Sequence, residues 1–242
     1  MRSAFTASVA IAVVVLGFCL PAPAAAQDAS DSAAYRALTQ TPLGALPSLL
    51  DVGVSGTRTS AVSFHARYGV MSFDDREYVH NFGVGVSIPA GSASIGLTAG
   101  YYWPNCNGRC SGHSMFSASV SQNLVSVGLG SGTGAGAFNI GLNGEMGYAR
   151  QNVTLLSGQL DLPVSLTPAS RSLRLVPYIA PGLGVGAVRD DSGTEAGLLF
   201  TFGAGLGLVT SRGFTATAGI RRAFLSTGNW LAGVGIALGP GR

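Results

Sequence analysis

The sequence predicts an all-β fold: an up-and-down antiparallel transmembrane β-barrel of about ten strands, with eight or twelve strands as alternatives. Apolar residues alternate with small or polar residues along most of the chain, as in the FGVGVSI segment at residues 82–88. Successive side chains of a strand point to opposite faces, so such segments have one apolar face and one small or polar face. The chain is 47% hydrophobic and only 10% charged, which is little charge for a surface that faces water throughout. Lipid outside and a polar lumen inside would explain both observations.

The first 26 residues are organised like a secretory signal peptide. Arg2 precedes an apolar run at residues 9–20, and small residues follow up to Ala26, after which we predict cleavage. Cys19 could indicate a lipoprotein, but Phe18 is bulky where lipoprotein signals have a small residue. No later stretch approaches the roughly 20 apolar residues of a transmembrane helix. The expected location is therefore the outer membrane of a Gram-negative-type bacterium.

Two further regions follow the leader. Residues 27–59 lack the alternation and are predicted to form a periplasmic arm, and residues 60–242 are predicted to form the barrel domain. All 14 basic residues are arginine, the net charge is +3, and no arginine-rich block is present. Nucleic acid is therefore not an expected partner.

Ten segments keep their apolar residues on one face. In chain order, the markers of these strands are Phe64 and Tyr68; Phe82 and Val84; Ile95 and Leu97; Phe116 and Val120; Phe138 and Ile140; Leu156 and Leu162; Leu175 and Ile179; Phe200 and Leu206; Phe214 and Ile220; Val234 and Ile236. The alternation slips once, near residues 122–124, which predicts a β-bulge.

Two cysteines remain after removal of the leader. Cys106 and Cys110 lie in a loop-like segment at residues 103–113, and in an oxidising compartment they are expected to form a local disulfide. A metal site with His113 is the alternative, but it lacks a clear fourth ligand. No metal or other cofactor is expected.

Outward-facing aromatic residues concentrate at one end of the predicted strands. This position is typical of an aromatic girdle at the lipid headgroups. The alternative is that these rings flank the strands of a soluble sandwich. The predicted girdle comprises Tyr78, Tyr101, Trp103, Tyr148, Phe224 and Trp230.

Charged residues also occur on the opposite, lumenal parity. Charges removed from bulk water need partners, so we expect lumenal ion pairs, Glu145 with Arg221 and Asp161 with Arg67. Such pairs could hold the barrel shut or select solutes. Arg222 has outward parity, so it lies either at the lipid rim or beyond a strand that ends at Arg221. The predicted lumen-lining residues are His65, Arg67, Glu145, Asp161, Arg174 and Arg221.

The segment VPYIAPGLGVG at residues 176–186, with the leader and the alternation around it, resembles small bacterial outer-membrane β-barrel proteins of the opacity and OmpA types. The resemblance covers residues 60–238. It implies a monomeric barrel that acts as a structural surface protein, an adhesin or a narrow pore. This chain departs from the family by ending on LGPGR instead of an aromatic residue.

Three functions are compatible with this pattern. The first is a non-enzymatic outer-membrane barrel, either structural or a narrow passive pore for small solutes. The second is a surface adhesin or interaction barrel that binds ligands through its loops. The third is a lipid-modifying enzyme, but the His and Ser two residues apart that characterise lipid A deacylases are not found at His80 or His113. The expected partners are outer-membrane lipid and, for the first two functions, small solutes or surface ligands.

Overall fold

A computed structural model of the chain describes residues 62–73, 77–104, 112–129, 136–150, 154–168, 173–191, 193–223 and 230–239. No helix in these ranges is long and apolar enough to cross a bilayer. The strands are β1 (Ser63–Phe73), β2 (Glu77–Ala90), β3 (Ala93–Pro104), β4 (His113–Leu129), β5 (Gly136–Arg150), β6 (Thr154–Asp161), β7 (Val164–Thr167), β8 (Leu173–Asp190), β9 (Gly193–Thr210), β10 (Phe214–Ala223) and β11 (Trp230–Leu238).

The strands close into a barrel. Each strand pairs antiparallel with its neighbours in the chain, and β11 returns to pair with β1. The segments β6 and β7 form one position in the wall, because β5 and β8 each pair with both, in the same register on either side of Leu162 and Pro163. The described residues therefore form a closed antiparallel barrel of ten strands, and the predicted fold is confirmed.

The strands are strongly tilted. The paired residues trace a path from strand to strand once around the wall, starting from Val188 on β8. The path comes back to β8 at Val176, twelve residues away. With about 3.3 Å per residue and about 4.8 Å between strands, this displacement gives a tilt of about 40°. Residues in one register row consequently lie at different heights along the barrel axis.

The two ends of the barrel differ in the strands that finish there. The loop rim is the end at which β1, β3, β5, β8 and β10 finish, and the terminal rim is the end at which β1 begins and β11 finishes. At the terminal rim, two residues join β2 to β3, three join β9 to β10, five join β7 to β8 and six join β4 to β5. The longest connection between described strands, residues 105–112, belongs to the loop rim.

The two faces of the wall have opposite chemistry. Phe64 is 66% exposed, and Phe200 and Ile220 are each 63% exposed, all on the outer face. Asp161 and Asn81 are fully buried inside. This arrangement is the inverse of a water-soluble domain, whose large apolar side chains are buried. Together with the closure, it excludes the soluble sandwich as an explanation of the outward aromatic residues.

The β-bulge is confirmed at the predicted place. The register between β4 and β5 shifts between Asn123 and Val125, and Leu124 and Val125 are both exposed. The extra residue restores apolar side chains to the outer face for the rest of β4.

Several predictions fall outside the described residues. These are the signal peptide at residues 1–26, the arm at residues 27–59, the cysteines Cys106 and Cys110, and the girdle residue Phe224. They stay predictions.

Candidate functional site: the barrel lumen

A first polar network lies at mid-height beside β1 to β5. Arg67 Nη1 donates to the two carboxylate oxygens of Glu145, at 3.2 and 3.3 Å, and both side chains are buried. Ser117 Oγ donates to the same carboxylate at 2.7 Å. Arg67 Nη2 donates to Thr98 Oγ1, which lies 2.9 Å from His65 Nε2. Glu145 therefore accepts hydrogen bonds from two donor groups, the Arg67 guanidinium and the Ser117 hydroxyl.

A second polar network lies beside β6 to β10. Arg221 Nη2 donates to Asp161 Oδ2 at 2.8 Å, with both side chains buried. Gln159 Nε2 lies 2.8 Å from Asp161 Oδ1 and 2.8 Å from Thr201 Oγ1, and it can donate to both. Each carboxylate oxygen of Asp161 therefore has a donor.

The partners predicted from the sequence are wrong, although the charged residues do pair inside the lumen. Arg67 pairs with Glu145 rather than Asp161, and Arg221 pairs with Asp161 rather than Glu145. The predicted partners are matched by height, counted in residues from the ends of the strands, and this count ignores the tilt. Because of the tilt, the register shifts by twelve residues over one full turn around the wall. The tilt places the members of each observed pair at similar heights, and their side chains meet across the lumen from strands that are four positions apart for Arg67 and Glu145 and three for Asp161 and Arg221.

An apolar layer lies in the lumen between these networks and the loop rim. Such a layer excludes water from the networks below it. Its members are each at most 7% exposed: Val79, Tyr102, Met115, Ala149, Leu155 and Val188. All of them occupy lumenal parity.

Sequence reasoning found only Tyr102 of this layer. The signal was present, because Val79, Met115 and Leu155 are apolar residues on lumenal positions of three strands that end or begin near the loop rim. Assigning every apolar position to lipid hid them. An apolar residue on the polar parity of several adjacent strands indicates a packed layer.

Glycines on the lumenal face make room for the networks. A Cβ at Gly85 would meet the Leu97 carbonyl and the His65 ring, and one at Gly182 would meet the Asp161 carboxylate. A Cβ at Gly205 would come within 2.5 Å of the Tyr178 hydroxyl. These glycines are needed for their small size.

The mid-height lumen is filled by side chains of the described strands. His65, Arg67, Glu145, Asp161 and Arg221 are between 0 and 7% exposed. Arg174 is half-buried and lies on β8 near the terminal rim. A water-filled path would expose such groups, so these strands enclose a packed interior.

The outer face carries aromatic clusters toward the loop rim. His80 stacks on Trp103 with 5.7 Å between ring centroids, and its Nδ1 lies 2.7 Å from the Tyr68 hydroxyl. Trp103 also contacts Tyr101, and Tyr78 meets Trp230 edge-on at 6.5 Å.

The remaining girdle residue of the described strands, Tyr148, is 38% exposed on β5. Five of the six predicted girdle residues therefore lie on the outer wall of the described strands toward the loop rim. Tyr68 and His80 join them, and sequence reasoning left these two out of the girdle.

Arg222 lies within a strand. β10 continues to Ala223, and Arg222 is exposed on the outer face, opposite Trp230 on one side and Phe202 on the other. The alternative that the strand ends at Arg221 is wrong. Within the described ranges, no group of three His, Cys, Asp or Glu side chains is arranged to hold a metal ion.

Comparison with known proteins gives similarity in architecture at low identity. No protein family and no curated protein matches the sequence. The transport unit of the autotransporter AIDA-I from Escherichia coli is 11% identical, with a TM-score of 0.49 over 89% of this chain and 99% of its own. The outer membrane enzyme PagL is 13% identical, with a TM-score of 0.37 over 72% and 98%.

A third solved structure is the N-terminal β-barrel domain of OprF from Pseudomonas aeruginosa. It is 16% identical, with a TM-score of 0.31 over 72% of this chain and 95% of its own. At these identities and TM-scores, none of the three assigns a family or a function to this chain. The architecture described above rests on the strand pairing itself.

Proposed function

We propose that this chain is a non-enzymatic integral barrel of a bacterial outer membrane, with a structural role and a closed lumen. The placement in a membrane is supported by the outer wall, where Phe64, Phe200 and Ile220 are each more than 60% exposed. In water, that much exposed apolar surface would cause aggregation. In a bilayer, the hydrocarbon chains of the lipids cover this apolar surface. Because the barrel is closed, no edge strand is left with unpaired backbone groups in the lipid.

The orientation follows from the connections between strands. Bacterial barrels have short turns on the periplasmic side and longer loops outside. We therefore place the loop rim, which has the longest connection, residues 105–112, at the cell surface, and the terminal rim, whose longest connection has six residues, in the periplasm.

The observation that favours a structural barrel over a passive pore is the filled lumen. An apolar layer that includes Tyr102, Met115 and Leu155 lies above two ion-pair networks, and the side chains of both levels are almost fully buried. Ions crossing such a layer would have to leave water, which is strongly unfavourable. Without a change in packing, solutes would find no path between these strands.

Conductance in planar bilayers tests this proposal. We expect purified, folded protein to insert without giving stable conductance steps. The triple variant Tyr102→Ala, Met115→Ala, Glu145→Ala removes side-chain volume from the apolar layer and from the first polar network. It should give conductance steps, and these steps show that the barrel inserts under the conditions used. Steady conductance by the unmodified protein would overturn the closed-lumen proposal in favour of a passive pore.

A further inference from the structure

The outer wall carries a long apolar groove of about 980 Å³. It follows two adjacent register rows from β6 to β11, and the tilt takes it from the loop rim down to the terminal rim. Ala99 and Ala118 form part of its floor, and Phe116, Tyr148 and Leu156 line its upper end. The volume lies near the upper end of the range for small-molecule sites.

Two arginines lie directly above the upper end of this groove. Arg150 is two residues beyond Tyr148 on β5, and its register partner Thr154 is two residues before Leu156 on β6. Thr154 is in turn the partner of Arg189 on β8. Both arginines are exposed on the outer face, and their backbones are about 10 Å apart because one strand separates them.

These arginines form no ion pair with the acidic side chains that the structure describes. The ion pairs formed among the described residues are Arg67 with Glu145 and Arg221 with Asp161, both in the lumen. Among the acidic side chains that the structure describes near Arg189, Asp191 in the turn after β8 and Glu195 on β9 form no ion pair with it. Within the described side chains, no carboxylate compensates these two positive charges.

The charged side chains of the outer wall also share one sign and lie at one end of the barrel. On the outward positions of the described strands, the charged side chains are Arg150, Arg189 and Arg222, and all three are exposed near the loop rim. Arginine binds phosphate oxygens through paired N–H donors and keeps its charge at a membrane interface. A rim with this charge is complementary to a layer of lipid phosphates.

We propose that Arg150 and Arg189, with the groove beneath them, form a binding site for a phosphorylated, multiply acylated lipid of the outer leaflet. The arginines bind the headgroup phosphates, the Thr154 hydroxyl adds a hydrogen bond, and acyl chains lie in the upper groove. Two cations on strands about 10 Å apart can each bind a phosphate, which favours a headgroup with more than one phosphate over a single phosphodiester. The site rests on the membrane placement proposed above.

Native mass spectrometry of the full, folded chain in a zwitterionic detergent tests the site, with diphosphorylated lipid A as the probe. We expect the unmodified protein to retain the lipid. The double variant Arg150→Gln, Arg189→Gln should retain it about tenfold less, as expected for loss of charge-assisted hydrogen bonds. The control variant Arg212→Gln removes an exposed arginine in a turn at the terminal rim and should leave lipid retention unchanged.

The groove is tested separately from the headgroup contacts. Ala118→Phe fills the groove floor and should reduce lipid retention severalfold, whereas Ala218→Phe makes the same change at an exposed outward alanine on β10, away from the groove, and should have no effect. Phosphatidylglycerol and a phosphorylated disaccharide without acyl chains should both be retained more weakly than lipid A.

Several outcomes would overturn the site. Equal retention by all variants, equal retention of phosphatidylglycerol, or occupation of the groove by a second copy of the chain, detected as a dimer that Ala118→Phe disrupts, would each do so. Every sample is first shown to be folded by its shifted electrophoretic mobility before boiling. Folded protein that retains no lipid refutes only this site, whereas failure to fold in detergent or lipid refutes the membrane placement.

Discussion

The carboxylate of Glu145 is buried in the lumen against one guanidinium and one hydroxyl. Removing one member of a buried ion pair leaves the other charge without compensation, which typically costs about 3–5 kcal/mol. Glu145→Gln should therefore lower the free energy of unfolding by about that amount, measured by urea denaturation in detergent micelles. Arg67 is the residue left unpaired by this change.

The matched control replaces both charges. Arg67→Met combined with Glu145→Leu removes the pair without leaving a charge behind, and should recover most of the stability lost in Glu145→Gln. If the single variant unfolds at the same urea concentration as the unmodified protein, the pair does not stabilise the barrel.

Gly205 tests whether the lumenal glycines are required for space. A methyl group there would meet the carbonyl of Ala218, which is backbone and cannot move aside, and the ring of Tyr178. Overpacking of this kind typically costs about 1–3 kcal/mol, so Gly205→Ala should lower the urea midpoint. Gly144→Ala is the control, because its methyl would meet only Leu160 Cδ1, at 3.9 Å.

At the scale of the strand, the wall is weakest where β6 gives way to β7. Pro163 has no N–H, and its carbonyl accepts from Gly141 at 2.8 Å, so the missing donor faces β5. Pro181 lies across from this point on β8, and its carbonyl accepts from Leu162 at 2.9 Å. One donor is therefore missing from each of two adjacent ladders, the one toward β5 and the one between the β6–β7 position and β8.

Hydrogen exchange should detect this weakness. We expect the amides of residues 140–142 and 161–164 to exchange faster than those of the β2–β3 hairpin, whose twelve register pairs run without interruption from Val79 to Ala90. The measurement is mass spectrometry after exchange of the folded protein in micelles. Uniform protection across both regions would contradict this assignment of the weak point.

The sequence predicted elements better than it predicted contacts. The outward positions of Phe64, Phe82 and Ile220, and the bulge after Asn123, follow from a period of two, which is local. The partner of Glu145 depends on the tilt, which is a property of the whole wall. No local pattern in the sequence indicates the tilt.

The candidate site divides in the same way. Lumenal parity identified Arg67, Asp161 and Arg221 as inward-facing, whereas the apolar layer around Met115 went unrecognised because apolar residues were assigned to lipid. The groove above Ala118 was not predicted, since it depends on the curvature of the wall across several strands.

At the scale of the whole molecule, closure should give the barrel resistance to detergent. In sodium dodecyl sulfate without heating, we expect the folded chain to migrate differently from the boiled chain, because a closed ladder has no edge at which unfolding can begin. Electrophoresis of membrane fractions measures folding and location together. Identical migration before and after boiling, or recovery of the chain in the soluble fraction, would contradict the proposed membrane barrel.

The pairing of β1 with β11 also constrains the order of folding. Phe64 lies opposite Leu238, so the ladder that completes the wall joins the two most distant described parts of the polypeptide. Contacts of such long sequence separation form late and slowly. Until β11 pairs with β1, the sheet has two edge strands whose backbone N–H and C=O groups are unpaired. We therefore expect the ladder between β1 and β11 to form last, with both of these edges open to other strands until it does.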